Sequence, residues 1–469
     1  MNNPKRTILV IGAGVAGLAA ARRLHALAEK EHTPIELRVL EASDHASGVI
    51  ATESRDGFLL EQGPDSFLSE NPRMLELCRE LGIENELIGT QARHQKTLIV
   101  HNGRLVPLPQ GFYLIAPQNI PAFLATPLFS ASGKARMIAE YFVPRLEGDT
   151  DESVASFIRR RFGEEALERV GQPMIAGVYS GDPEKLSILS TMPRFRDAER
   201  LHGSVLGGLR RTATVPRKVR GPRYSLFLSF KNGMRTLTDA LERSLPAGAL
   251  RTGFKTVSLT RDEASGQWTA LSDKGESVLA DAVCLAVPAR VASKLLGNQS
   301  TVLCELLSQI RYESVATVNL AFEDDAFSHP LNAFGFVVPR SQTRSLMACT
   351  FAHRKFAGRA PLGGVLLRAF AGGAFGKRFF EMSDPELSQN ILHDLESLAG
   401  LRKKPLFSVV SRYPDALAQY EVGHARLLSR IDVECAAFPG LELTGASYRG
   451  TGIPDCIRDG ERAAQGLWE

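Results

Sequence analysis

The 469-residue chain is poor in cysteine and tryptophan and carries no large excess of charge of either sign. Its six cysteines, Cys78, Cys284, Cys304, Cys349, Cys435 and Cys456, are scattered. They form no Cys-x-x-Cys pair and have no histidine at zinc-ligand spacing, which excludes a disulfide scaffold or a structural zinc site and leaves reduced thiols. Basic residues number 56 against 52 acidic ones, a net charge of +4. That balance is too even for a nucleic-acid binder driven by counterion release, so nucleic acid is not an expected partner. No apolar run reaches the roughly eighteen residues needed to cross a bilayer. The first seven residues are polar and run straight into a strand pattern, unlike a secretory leader. A cytoplasmic protein is expected, with any membrane contact peripheral. Hydrophobic residues at 44% and charged residues at 23% exclude disorder, and the length calls for two or three domains.

What is present begins at Thr7-Ile8-Leu9-Val10-Ile11, a short β-branched run of the kind buried on both faces of a parallel sheet. Gly12-Ala13-Gly14-Val15-Ala16-Gly17 follows at once, and Leu18 to Leu27 then reads as an amphipathic helix. Ile35 to Leu40 gives a second strand, ending in Glu41. Strand, glycine turn, helix and a strand ending in a carboxylate are together the signature of a dinucleotide site. Gly12 permits the tight turn, Gly14 lets backbone amides approach a pyrophosphate, and Gly17 lets the helix pack against the strand. The helix N-terminus faces the phosphates, and Glu41 would accept a ribose hydroxyl.

From Ile88 to Leu209, proline and aromatic residues interrupt helical patterns, which suggests an inserted helical region. Its segment Phe112-Tyr113-Leu114-Ile115 and Phe123, beside the basic clusters Arg159-Arg160-Arg161 and Arg210 to Arg223, is the expected site of peripheral membrane contact. Leu237 to Leu245 again reads as a helix, and Phe254 to Val287 as alternating strands. Val315 to Phe322 and Gly364 to Phe370 suggest a second, mixed or antiparallel sheet.

Three further segments narrow the reading: Gly57 to Phe67 with its Gly63-Pro64-Asp65-Ser66, Ala176 to Ser187, and Leu443 to Ile457 before a final helix. Together they resemble the protoporphyrinogen oxidases and their coproporphyrinogen-oxidising relatives, within the amine-oxidase-like flavoproteins, over nearly the whole chain. The resemblance implies FAD as cofactor and an α/β fold with a Rossmann-like FAD-binding domain, a mixed-sheet substrate domain and an inserted helical domain of membrane-associating type. The implied partition gives the FAD domain residues 1–87, 210–290 and 426–469, the insert 88–209 and the substrate domain 291–425.

By the same resemblance, FAD contacts fall on Gly12, Ala13, Gly14, Val15, Ala16, Gly17, Glu41, Gly63, Pro64, Asp65, Ser66, Val257, Ala446, Thr451, Gly452 and Ile453. The family's usual Arg-x-Gly-Gly after the second strand is here His45-Ala46-Ser47-Gly48. Phe334, Val337 and Phe370 match positions that sandwich the macrocycle. Thr97 stands where many members place an arginine against a substrate propionate, with Arg93 and Lys96 as nearby substitutes, so the carboxylate count of the substrate stays open. The implied reaction is the oxygen-linked, six-electron oxidation of protoporphyrinogen IX in haem synthesis, with coproporphyrinogen III as the alternative substrate. Each of three rounds would take a hydride to FAD and release a proton, and dioxygen would be reduced to peroxide. No metal and no acid–base residue is assigned, and a homodimer is an expected assembly. A catalytically silent flavoprotein partner of the same pathway is the reading from another class. No Gly-x-Ser-x-Gly elbow follows a strand, which disfavours a serine hydrolase.

Overall fold

The computed structural model describes residues 5–214 and 225–469. The elements that position the site run β1 (Arg6–Ile11), α1 (Val15–Lys30), β2 (Ile35–Leu40), β3 (Thr97–His101), β4 (Arg104–Pro107) and α2 (Gln172–Tyr179). They continue with β5 (Leu250–Arg251), β6 (Thr256–Arg261), β7 (Ala282–Leu285), β8 (Arg311–Glu323), β9 (Gly335–Val337), β10 (Ala348–Phe351) and β11 (Gly364–Gly372). The last are α3 (Asp384–Ala399), β12 (Phe407–Gln419), β13 (Leu441–Leu443) and α4 (Ile453–Trp468).

One sheet is all-parallel, in the order β5-β2-β1-β7-β13. Its central strand buries both faces, Ile8 and Val10 against α1 and α4, Leu9 and Ile11 against the other side, which explains its continuous apolar run. The chain passes from β1 to β2 on one side and returns to β7 on the other. That reversal opens a crevice at the carboxyl ends of β1 and β7, the usual place for a ligand in such a sheet.

The second sheet has seven strands in the order β12-β8-β11-β10-β9-β3-β4. All neighbours are antiparallel except β9 with β3, so it is mixed, one of the two arrangements expected for it. One face, with Leu98, Val318, Phe336 and Leu367, packs on Leu387, Ile391 and Leu395 of α3. The other looks toward the first sheet and the helical region.

Within the segment 88–209 the first α-helix begins only at Ile120. Residues 97–107 are strands of the second sheet, because their short alternation pairs with β9 rather than coiling into a helix. The helices run from Ile120–Ala125 to Val205–Thr214 around a core that includes Phe157, Phe162 and Phe195.

Two expectations about this region's surface are corrected. Phe123 and Ile115 are buried, and Phe112 stacks on Phe129 with ring centres 6.3 Å apart, so these three side chains belong to a core. Arg159-Arg160-Arg161 is likewise not a bare basic patch. Arg161 is fully buried on Glu140, Arg160 pairs with Glu152 and Glu199, and Arg159 with Glu164 and Glu184. Of the run from Arg210 to Arg223, residues 215–223 lie outside the described residues. No helix among those described is long and apolar enough to cross a membrane.

Candidate functional site

The glycine turn sits at the mouth of the parallel sheet's crevice. Gly12 has φ +103° and donates its N–H to Leu40 O at 2.8 Å, and a Cβ there would lie 2.5 Å from Ala286 O. At Gly17 a Cβ would fall 2.0 Å from Gly12 O, so helix and turn touch backbone to backbone. Gly14 differs, since a Cβ there would meet nothing within 4 Å. It therefore faces open space at the start of α1, where it provides no side-chain cap. The first-turn amides of Ala16 and Gly17 are left to a ligand, as an anion site requires, while Val15 belongs to the bridge between Gly14 and Ser47. Beside them Glu41, at the end of β2, accepts from Ala13 N–H at 2.8 Å and Ser43 N–H at 2.9 Å.

The loop 45–48 closes on this turn. Ser47 donates its N–H to Ala13 O at 3.0 Å and takes φ +113°, and Gly48 rests on Gly14. His45 is exposed and ends on Asp44 at 2.6 Å, so the turn is shaped by the loop's backbone rather than by side-chain 45. Val257 is the bulged residue of β6, without a partner across the ladder, and its side chain is exposed. Only its backbone is suited to a cofactor contact. β6 is brought near Glu41 by Phe254 N–H, which donates to Glu41 O at 2.9 Å.

Gly63, Pro64, Asp65 and Ser66 pass between the two sheets. A Cβ on Gly63 would lie 1.7 Å from Val49 O, so no other residue fits. The second sheet straps this segment down. Asn319 Nδ2 donates to Glu61 O at 3.1 Å, Thr317 Oγ1 to Gln62 O at 2.9 Å, and Arg368 Nη2 to Gly63 O. Lys355 Nζ donates to both Asp65 oxygens, at 2.8 and 2.9 Å, and to Ser66 Oγ at 3.1 Å. Burial alone would raise the Asp65 pKa, but Lys355 and Arg368 outweigh it and hold the carboxyl well below its usual range. The side chains of Asp65 and Ser66 are thus spent inside the protein.

At the other wall, Gly445 (φ +122°) follows β13 and again a Cβ would meet nothing within 4 Å. Tyr420 Oη donates to Ala446 O at 2.9 Å and accepts from Gly450 N–H at 2.8 Å, bracing the turn from behind. Buried Asp459 accepts from Thr444 Oγ1 and Gly445 N–H, each at 3.0 Å. Thr451, Gly452 and Ile453 then open α4, whose N-cap Gly452 offers no side chain. In that first turn Pro454 has no N–H and Asp455 N–H donates to Gly452 O at 3.0 Å, which leaves Ile453 N–H and the helix dipole to face negative charge on a reduced ring.

The substrate-side residues divide. Val337, Ala348, Phe370 and Thr317 lie opposite one another across β9, β10, β11 and β8. They form one apolar row, and Thr317 ties its end to Gln62. Thr97 lies in the next row, with Gly335, Thr350, Arg368 and Asn319. Phe334 is set apart: it precedes β9, half-buried, its N–H on Lys96 O and its carbonyl on Phe351 N–H, and it joins none of the core clusters. The motif Ala176 to Ser187 does reach the row, since a Cβ on Gly177 would lie 3.4 Å from Val337. It is also tied to the strand end that braces the cofactor turn, with Gln419 Nε2 on Tyr179 O at 3.1 Å and Ser187 N–H on Tyr420 O at 2.8 Å.

Arg368, Lys355 and Tyr420 were not singled out from sequence. Arg368 did leave a signal, as a lone charge inside Val365-Leu366-Leu367-Arg368-Ala369-Phe370. Arg93 and Lys96 are exposed, and Arg93 reaches Gln91 at 3.2 Å.

A family model described as flavin containing amine oxidoreductase matches residues 15–467. The chain belongs to this family. Flavin-containing amine oxidoreductases hold FAD, and the residues found here fit it, with two helix ends that carry no side-chain cap, two glycines open to the crevice and Glu41 beside the first of them. The chain is 32% identical to coproporphyrinogen III oxidase of Bacillus subtilis over 99% of its own length and 98% of the relative's. It is 31% identical to protoporphyrinogen oxidase of Bos taurus over 98% of both chains. A crystal structure from Exiguobacterium sp. 255-15, provisionally named a protoporphyrinogen oxidase, superposes with a TM-score of 0.87 at 29% identity over the whole of both chains.

Proposed function

We propose that this flavoprotein oxidises a porphyrinogen to its porphyrin with dioxygen as acceptor, and that coproporphyrinogen III is the preferred substrate. The observation that carries the reading is the Val337–Ala348–Phe370–Thr317 row, an apolar shelf whose end is bonded to the segment that passes the cofactor. A flat macrocycle lying on it stays within reach of the crevice. The names of the bacterial relatives support the tetracarboxylic substrate. A second reading, protoporphyrinogen IX, is supported by the comparable likeness to the Bos taurus enzyme.

When bound, FAD supplies the redox chemistry, taking hydride from the bridging carbons and passing electrons to dioxygen. The chain's own residues bind, orient and exclude water. Glu41 and the first turn of α1 hold the adenosine and pyrophosphate end. Gly445 and the start of α4 place backbone dipoles where charge develops, and Tyr420 keeps that turn from relaxing. Val337 and Phe370 give the macrocycle a dry face. No side chain is assigned a proton.

Purified holoenzyme incubated in air with each porphyrinogen, followed by porphyrin fluorescence and peroxide release, tests the reading. Faster turnover of coproporphyrinogen III is expected. Oxidation of neither would overturn it, and flavin that stays oxidised under anaerobic porphyrinogen would point to a silent binding partner.

A further inference from the structure

A cavity of about 220 Å³ lies beyond the apolar row, at the end away from Gly63. Its walls are Gln172 and Ala176 of α2 and Ser180 after it, the loop from β9 to β10 and the turn after β11. Three arginines, Arg340, Arg344 and Arg378, line it, and no aspartate or glutamate does. Arg344 is offset from behind by Asp394 at 3.2 Å. Among the described residues neither Arg340 nor Arg378 pairs with a carboxylate. Each instead lies over an aromatic ring, Arg340 at 4.4 Å from the Phe375 centroid and Arg378 at 4.5 Å from Phe379. Arg340 is further anchored by its N–H, which donates to Gln172 Oε1 at 2.8 Å. A guanidinium stacked on a ring keeps its donor edge free and oriented, the arrangement that grips a carboxylate in two places.

The cavity adjoins the row through the neighbours of its residues. Met347 donates its N–H to Phe370 O at 2.8 Å, and Val338, Met347 and Gly372 all line the cavity. Each is one or two residues from Val337, Ala348 or Phe370, a step of roughly 3 to 7 Å along a strand. An acid side chain on a ring seated over the row is short but long enough to cross that step. We propose that Arg340 and Arg378 form a carboxylate clamp for a tetrapyrrole, at the end of the shelf remote from the cofactor. This rests on the porphyrinogen reading. It also supplies the cationic group that Thr97 does not. The carboxylate comes either from the substrate on the shelf or from a separate porphyrin molecule.

The test compares wild-type holoenzyme with Arg340→Gln/Arg378→Gln and Arg340→Lys/Arg378→Lys, after matching FAD content and melting temperature. If the substrate's own arm enters the clamp, KM for coproporphyrinogen III rises about tenfold in the glutamine pair and by less in the lysine pair. Fluorescence titration with coproporphyrin then shows a single site, weakened in the glutamine pair. If a separate porphyrin enters, wild type binds two equivalents and the glutamine pair one. KM within twofold of wild type together with unchanged coproporphyrin binding would overturn the clamp. Wild type that oxidises neither porphyrinogen defeats the parent reading, and the titration still reads the clamp on its own.

Discussion

Ser47 takes a backbone conformation that suits glycine, with φ +113°, because the loop must lay its N–H on Ala13 O beside the glycine turn. Such a conformation costs a side chain on the order of 1–3 kcal/mol. Its Oγ recovers part of this through Thr238 at 2.9 Å. The usual order of alanine and glycine is therefore expected to invert here. Ser47→Ala keeps the strain and loses the bond, whereas Ser47→Gly removes both, so the glycine variant should be the more stable by about 1–2 kcal/mol in urea unfolding. A more stable alanine variant would refute the strain. A second residue sets an acid limit. Burial pushes His353 down to about 4, its Nδ1 lying 3.1 Å from Leu366 O and its Nε2 buried without a partner. Between the unfolded value near 6.5 and pH 4 the unfolded chain holds a proton that the folded chain refuses, so stability falls as pH falls through that window, by up to about 3 kcal/mol. Asp65 works lower, its contribution being complete above the unfolded value near 3.9 and lost beneath it. His353→Gln should flatten the dependence of unfolding free energy on pH between 4.5 and 6.5. An unchanged slope would assign it to other groups. The glycine turn was legible in sequence because its reasons are local, a sharp turn and a close approach. Arg368 and Lys355 were not, since their partners, Gly63 and Asp65, stand some 300 positions away and only the fold joins them.

Elements meet through small residues as much as through large ones. A Cβ on Gly460 of α4 would lie 2.3 Å from Ala16 O, so α4 packs on the first turn of α1 backbone to backbone. In an exposed helix, glycine to alanine stabilises by up to about 1 kcal/mol. Here Gly460→Ala should destabilise by roughly 1–3 kcal/mol, because the extra methyl forces the two helices apart. It should also weaken FAD retention, read by flavin fluorescence after gel filtration, since both helices open onto the crevice. A stabilised variant would show that the contact relaxes freely. Of the parallel sheet, β1, β2, β7 and helix α1 were readable from apolar runs and periodicity, whereas the short edge strands β5 and β13 were not. The edge of the helical region was not, because residues 97–107 are two short strands whose partner, β9, lies more than 200 residues on. Nor was the fate of Phe123 and Arg161. Aromatic and basic residues in one segment read as a surface, whereas here the rings fill a core and Arg161 closes it on Glu140, bonded also to Val143 O and Gly203 O.

Across the whole molecule, the crevice depends on stretches far apart in the chain. β1 is flanked by β2 and β7, and β13 lies beyond β7, so the wall formed by Gly445 and α4 is built from residues 441–468. A ligand that binds only the folded form adds RT ln(1 + [L]/Kd), about 2.7 kcal/mol at a hundredfold excess over Kd. FAD cannot confer this until both walls exist. During synthesis, the helical region and most of the seven-stranded sheet can assemble from contacts already emerged, while cofactor capture waits for the final turn and helix. A chain stopped at residue 440 should therefore emerge colourless despite having Gly12 to Gly17 and Glu41, and adding residues 441–469 as a separate peptide should restore flavin binding. Yellow protein from the shortened chain alone would show that one wall suffices. On the ribosome, the timing of flavin uptake is set by the order in which these walls are made.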